Sequence, residues 1–382
     1  MENKEKNAVL RFLEKKNVII SFKRYGIDAL SAMALGLFAS LLIGTIITTI
    51  GQNIGNSTLD LATATNVSTL DYMAVKLVEI GGFATSVTGC AMAISIGYAL
   101  QAPPLVLYSL AAVGQATNKL GGAGGPMAVL VVAILAAELG KIVSKETKVD
   151  IIVTPFVTIA GGIIIAMAIA PAIGAAASSI GFAIMWATDF QPFIMGVLVS
   201  VICGICLTLP ISSAAICAAL GLVGLAGGAG VAGCCAQMVG FAVMSYPENG
   251  FGGLIAQGIG TSMLQVPNIL RNWKIWIPPI VASAITGPIA TCIFKLKMNG
   301  APVSSGMGTS GLVGQIGVIT GWASPSENAL ALGEAAVQAG AWDWIGLILI
   351  SFVLPAILTL AVAIPLRKIG WIQKDDLKID MG

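Results

Sequence analysis

The 382-residue chain has no histidine and little charge: Lys, Arg, Asp and Glu together make up only 10% of it. Without histidine there can be no imidazole proton relay, no Ser-His-Asp or Cys-His nucleophile, no His-ligated metal and no phosphohistidine carrier. The scarcity of charge excludes a water-soluble chain, which carries about 25% charged residues. With 57% hydrophobic residues and a mean hydropathy of +0.92, the solvent this sequence fits is a bilayer. A net charge of +2, gathered at the ends and in short loops, leaves no basic face for nucleic acid. No metal and no cofactor is called for.

The seven cysteines, Cys90, Cys203, Cys206, Cys217, Cys234, Cys235 and Cys292, all sit in apolar stretches and read as small hydrophobes, with no disulfide framework. Cys203 and Cys206 have redox or zinc-like spacing, but no second ligand pair accompanies them. The charged N-terminus runs to Arg24, and the first apolar run starts only near Ile27, too far in and too long for a cleaved signal peptide.

Apolar runs recur near 27–51, 74–100, 104–118, 122–140, 151–175, 192–210, 212–226, 229–246, 275–294 and 345–366. Most can span the roughly 30 Å of hydrocarbon, giving about ten transmembrane helices. Two Gly-rich segments, 250–269 and 301–321, are too interrupted for ordinary spans and read as re-entrant hairpins, which survive only where buried or lining a cavity. The fold expected is an all-α polytopic membrane protein: a cytoplasmic segment 1–26, a membrane domain 27–366 and a cytoplasmic tail 367–382. Lys and Arg cluster in the first 24 residues, at Lys141, Lys145 and Lys148, at Arg271 and Lys274, and in the tail, which places both termini in the cytoplasm. The loops 52–73 and 176–191 lack Lys and Arg and fall outside; 52–73 carries the acceptor patterns at Asn56 and Asn66. Ser324–Trp344, Ala-rich and ending in tryptophans, reads as an interfacial helix.

Chemistry is concentrated in an echo between the two hairpins. Gly258-Ile-Gly-Thr-Ser-Met-Leu264 matches Gly306-Met-Gly-Thr-Ser-Gly-Leu312 at five of seven positions. Such turns present amides and the hydroxyls of Thr261, Ser262, Thr309 and Ser310 to one cavity at membrane depth. Coincidence among 46 glycines, or small-residue helix packing, is the plainer reading. Gln257, Gln265 and Asn268 flank the first turn and Gln315 the second, and neutral hydroxyls and carboxamides can replace water around a polyol. Ser212 and Ser213, after Pro210, form either an ordinary helix start or a set of free amides aimed at a solute.

Intramembrane acids are costly. Glu138 reads as a solvent-facing helix-end group, and Glu79 as equally a snorkelling or a functional one. Glu248 has no Lys or Arg within twenty residues on either side, so no local ion pair explains it, and its carboxylate can accept two sugar hydroxyls. Glu327 is either a helix N-terminal acid capped by Ser324 or Ser326, or a ligand.

Three stretches carry a family resemblance: Val153-Thr-Pro-Phe-Val-Thr-Ile-Ala-Gly-Gly162, the Pro210-Ile-Ser-Ser213 break, and Val266-Pro-Asn-Ile-Leu-Arg271 before a Pro-containing span. From about 27 to 366 the chain resembles the membrane IIC component of phosphoenolpyruvate-dependent sugar phosphotransferase systems, in its stand-alone, perfringolysin-regulator-like branch. The resemblance implies a homodimer in the plasma membrane with a carbohydrate site, served by separate IIA and IIB phosphocarrier proteins. Glu248 or Glu327 would then be the base when a IIB phosphocysteine hands its phosphoryl group to the sugar, and the chain would be at most the membrane subunit of that phosphotransferase. Two departures stand out. Fructose-type relatives carry an acid where this chain has Met263-Leu-Gln-Val-Pro267, and glucose-type relatives a histidine that is missing here. The competing functions are an ion-coupled secondary transporter of a small polar solute and a transport-inactive membrane regulator.

Overall fold

The computed structural model describes residues 8–61 and 67–379; Lys4, Lys6, Asn66 and Gly382 lie outside the described residues. Nearly all regular structure is helical, and an isolated antiparallel bridge pairs Gly224 with Met298. Among the described residues, six helices are long and apolar enough to cross a membrane. Thr69–Ser86 and Thr88–Ala99, bent by 44°, add a seventh when taken as one span. Pro104–Val143 counts once by length but reverses at Gly122, whose φ is 50°. Its halves, Pro104–Gly121 and Gly125–Val143, pack on one another, so a Cβ on Gly140 would lie 2.7 Å from Val106. The two halves coincide with the apolar runs at 104–118 and 122–140.

The chain divides into two compact units. The first comprises 1–39 and 87–175. Its helices meet through small residues, and a Cβ on Gly36 would lie 2.6 Å from the Ala91 carbonyl. One end is closed by charge. Lys141, fully buried, pairs with Glu138 at 2.7 Å and donates to the carbonyls of Asn17 and Leu100 at 2.9 and 3.2 Å. Arg24 donates to Asn17 Oδ1, and Lys16 pairs with Glu146. Glu138 is therefore buried and paired, not solvent-facing: its partner Lys141 is held at the helix end by carbonyls of Asn17, from the N-terminal segment, and Leu100. Glu146 lies in the loop after that helix, and the Lys16 ammonium holds its carboxyl below the usual range.

The second unit comprises 40–86 and 176–382. Its axis is Gly224–Met244, which is 94% buried over its apolar window. Around it pack Pro192–Thr208, Ile277–Pro288 and Leu354–Lys368. Its glycines allow backbone contact: a Cβ on Gly230 would stand 2.7 Å from the Ser305 carbonyl, and one on Gly204 2.7 Å from that of Gly233. Ile43–Ile54 packs on Thr69–Ser86 in the same way, Gly44 lying against Gly81 and Thr85. Glu79 pairs with Lys76 one turn away at 2.7 Å, both half exposed.

Two expected segments differ. The loop expected at 176–191 is helical to Thr188, because an Ala-containing, proline-free sequence continues Asp150–Thr188 through Gly181. Ser324–Trp344 is not one helix. Glu327–Ala331 stops before Gly333, at φ 78°, and 334–340 is irregular up to the helix that begins at Ala341. Trp322 and Trp344 still meet edge to face at 5.0 Å.

Candidate functional site

Both expected hairpin segments are interrupted helices of the second unit. In the first, Tyr246–Ile255 breaks at Gly250 (φ 59°), Thr261 is extended, and Val266–Arg271 resumes the helix. In the second, Gly308, Gly311 and Leu312 all have φ between 52° and 60° ahead of Val313–Ala323. Gly308 admits no side chain, since its Cβ would lie 2.7 Å from Cys234 of the central helix. The echoed turns touch each other, as the repeat suggested.

Their hydroxyls are held by protein. Thr261 Oγ1 accepts from the Met263 amide at 3.1 Å, Ser262 shares a 2.8 Å hydrogen bond with Thr208, and Thr309 donates to Met238 Sδ at 3.5 Å. Ser310 is buried beside them. Ser262 belongs to a network that sequence reading passed over. Gln237, fully buried, accepts from Trp276 Nε1 at 2.8 Å and from Thr208 at 3.2 Å, and donates to Ser283. A lone carboxamide in the middle of an otherwise apolar, Gly-rich run was the available signal, because such a group needs partners from neighbouring helices.

Gln257, Gln265 and Asn268 form a buried chain. Gln265 Nε2 donates to Gln257 Oε1 at 2.8 Å, Asn268 Nδ2 to Gln265 Oε1 at 2.9 Å, and Gln257 Nε2 to Ser245 Oγ at 2.7 Å. Gln315 lies apart, donating to Ser351 Oγ at 3.0 Å and Cys235 Sγ at 3.2 Å. Ser213 donates to the Gly306 carbonyl at 2.7 Å and so ties the Pro210 break to the second interrupted segment.

One opening in this unit, beside the second interrupted segment, is a cavity of about 420 Å³, a size suited to a small ligand. Thr45, Thr48, Thr49, Gln52 and Asn53 line one wall, Ser212 and Ser304 contribute further hydroxyls, and Ile316 and Thr320 face it from Val313–Ala323. Among the described residues, no Lys, Arg, Asp or Glu lines it. The first wall is one helical face, since positions 45, 48/49 and 52/53 recur every three to four residues. Thr45 Oγ1 donates to the Leu41 carbonyl at 2.7 Å, which leaves its lone pairs to accept. Ser212 also caps Ser213–Leu220, accepting from the Ala215 amide at 3.2 Å, so helix start and cavity wall coincide. Of the residues singled out from sequence, Ser212 is the one on this lining; the Thr45–Asn53 face was passed over because it ends an otherwise apolar run.

Glu248 has a partner after all. Arg367 grips its carboxylate with two nitrogens at 2.8 and 3.0 Å and donates to the Met244 carbonyl, joining segments 119 residues apart. The expectation of an unpaired acid is thereby corrected: local sequence could not reveal a cation from the last long helix. Glu327 is exposed at the first position of Glu327–Ala331, where Ser326 Oγ accepts from the Ala329 amide. Replacing Glu248 by Gln is expected to cost about 2 kcal/mol in unfolding experiments in detergent. That is below the roughly 3–5 kcal/mol of a fully buried pair, because Arg367 keeps some water contact. Unchanged stability with solute binding lost would instead move this carboxylate into the binding site.

Among curated proteins and among solved structures, none matches this chain. The family described as Phosphotransferase system, EIIC matches residues 27–379, nearly the whole chain. The match spans the central Gly-rich helix, both interrupted segments and the polar cavity. The chain therefore belongs to the phosphotransferase-system EIIC family, the multi-pass sugar-permease subunits of the plasma membrane.

Proposed function

We propose that the chain binds a carbohydrate in the cavity between Ile43–Ile54 and the second interrupted segment, and moves it across the membrane for phosphorylation by a separate IIB protein charged by IIA. The observation that carries this reading is the lining: hydroxyls and carboxamides without charge, over an apolar floor of Leu41, Val303, Val313 and Ile316. A sugar presents the complement, with hydroxyls at its rim and C–H faces between them, and a buried hydroxyl left unpaired costs about 1–3 kcal/mol. A lining without carboxylates favours a neutral polyol over a proton- or sodium-coupled solute.

The rest of the assignment is an extension of this. Both interrupted segments enter the membrane without crossing it, about ten helices span it, and both termini face the cytoplasm. The protein works as a homodimer of the perfringolysin-regulator-like branch. The echoed turns, with Thr261, Ser262, Thr309 and Ser310, belong to the two interrupted segments that serve the sugar. Phosphate reaches the sugar from a IIB phosphocysteine, since this chain has no histidine to carry it.

The test is sugar phosphorylation by membranes containing this protein, supplied with cytosol and phosphoenolpyruvate. The expected result is phosphorylated sugar whose formation requires phosphoenolpyruvate. Accumulation of unmodified solute, driven by a sodium or proton gradient with phosphoenolpyruvate absent, would overturn the reading.

A further inference from the structure

The carboxamide row beside the first interrupted segment is occupied by the chain's own C-terminal residues. Past Gly370, at φ 78°, residues 371–379 turn back onto the second unit. Leu377 is fully buried and Ile372 nearly so, in a cluster with Phe241, Met244, Ile269 and Ile275. Asn249 Nδ2 and Gln265 Nε2 both donate to the Leu377 carbonyl, at 2.7 and 2.9 Å. Asn268 Nδ2 donates to the Lys378 carbonyl at 2.8 Å, and the Ile379 amide donates to Asn249 Oδ1 at 2.9 Å. Asn272 Nδ2 reaches the Trp371 carbonyl and Asp376, at 2.9 and 2.7 Å. Four carboxamides thus converge on one irregular stretch of main chain.

Apart from the apolar seat of Leu377 and Ile372, this grip is made through polar groups that a polyol or water could satisfy equally. Main-chain carbonyls of the segment stand where hydroxyl oxygens of a solute would accept, and exchanging one set for the other alters the hydrogen-bond count little. The segment has no helix or strand of its own. Its internal bonds are turn bonds, such as Gln373 N to Asp376 Oδ2 and Lys378 N to the Asp375 carbonyl. Lys374, Asp375, Asp376 and Lys378 keep it compatible with water once it leaves. The helices beneath it, Tyr246–Ile255 and Val266–Arg271, draw none of their backbone bonds from it.

We propose that residues 371–379 are a releasable plug, which closes the Asn249–Gln265–Asn268 carboxamides in the resting protein and frees them to a polar solute when it opens. The proposal rests on the sugar-permease reading for the identity of that solute, but not for the opening itself.

Two measurements test it on the full chain in lipid nanodiscs. The first is amide hydrogen exchange. By local opening, 371–379 should exchange at least about 100-fold faster than Gly224–Met244, and Leu377→Ala should speed it about tenfold further without changing the central helix. Exchange of the segment only together with that helix would make it a permanent strut and overturn the proposal. The second is phosphoenolpyruvate-dependent sugar phosphorylation, in which Leu377→Ala, and a variant lacking 371–382 whose central helix remains protected, should exceed the parent protein at least about threefold. Equal or lower rates with a demonstrably open segment would refute the plugging role. If no sugar is phosphorylated by any variant, the permease reading has failed, and the exchange experiment still decides whether the segment opens.

Discussion

Valine in place of Gly233 is expected to leave no folded protein, and alanine there to cost about 3 kcal/mol or more, at or above the top of the usual overpacking range. An added Cβ would overlap the Ser200 carbonyl of the neighbouring helix, and backbone cannot rotate away as a flexible side chain can. The same seat joins Gly196 to Gly287 and Gly204 to Gly233, so three helices share it. Forcing them apart would also break the bonds from Gln237 to Thr208 and Ser283. Unfolding of the purified protein in detergent measures the effect. A Gly233→Ala variant of parental stability would mean that the Pro192–Thr208 and Gly224–Met244 helices do not depend on this contact.

Removing the polar face of Ile43–Ile54 is expected to abolish sugar binding while sparing the fold. Thr48→Val conserves shape and Gln52→Leu conserves most of it, and both side chains line the cavity. Each removes hydrogen-bonding groups that a bound sugar would need, at about 1–3 kcal/mol apiece, so the double variant should bind at least about 30-fold more weakly. Thr359→Val is the matched control. Among the described residues its buried hydroxyl finds no hydrogen-bond partner, and it lies off the cavity, so its loss should not lower stability and should change binding by no more than about 0.5 kcal/mol. Full binding by the double variant would place the sugar elsewhere, and the carboxamide row behind 371–379 would be the next candidate.

Much of the architecture could be read from the sequence where the signal is local. Gly121-Gly-Ala-Gly-Gly125 separates two apolar runs, and the chain reverses there. The Gly-Thr-Ser echo marked two interrupted segments that do lie together, and Ser212 was legible as a helix start. Signals that depend on distant partners were not. Glu248 looked unpaired because Arg367 is supplied by the last long helix, and Glu138 looked solvated because Asn17 and Leu100 supply carbonyls to its partner Lys141 from far upstream. The cavity wall was overlooked for another reason. Reading apolar runs averages over a helix, and the Thr45–Asn53 face is polar on one side only. Helical periodicity, applied within the run and not just to its length, would have exposed it.

The most direct test of the carbohydrate site is ligand protection at its wall. Thr320 lines the cavity but spends its hydroxyl on the Ile316 carbonyl, at 2.8 Å, so Thr320→Cys introduces a reporter with little expected loss of affinity. A hydrophilic maleimide should label it, with a Glu146→Cys replacement in the exposed loop after Gly125–Val143 as internal reference. The sugar this variant phosphorylates should slow labelling at 320 at least about tenfold while position 146 reacts at an unchanged rate. Unchanged labelling at 320, at sugar concentrations that saturate phosphorylation by the same variant, would contradict the site.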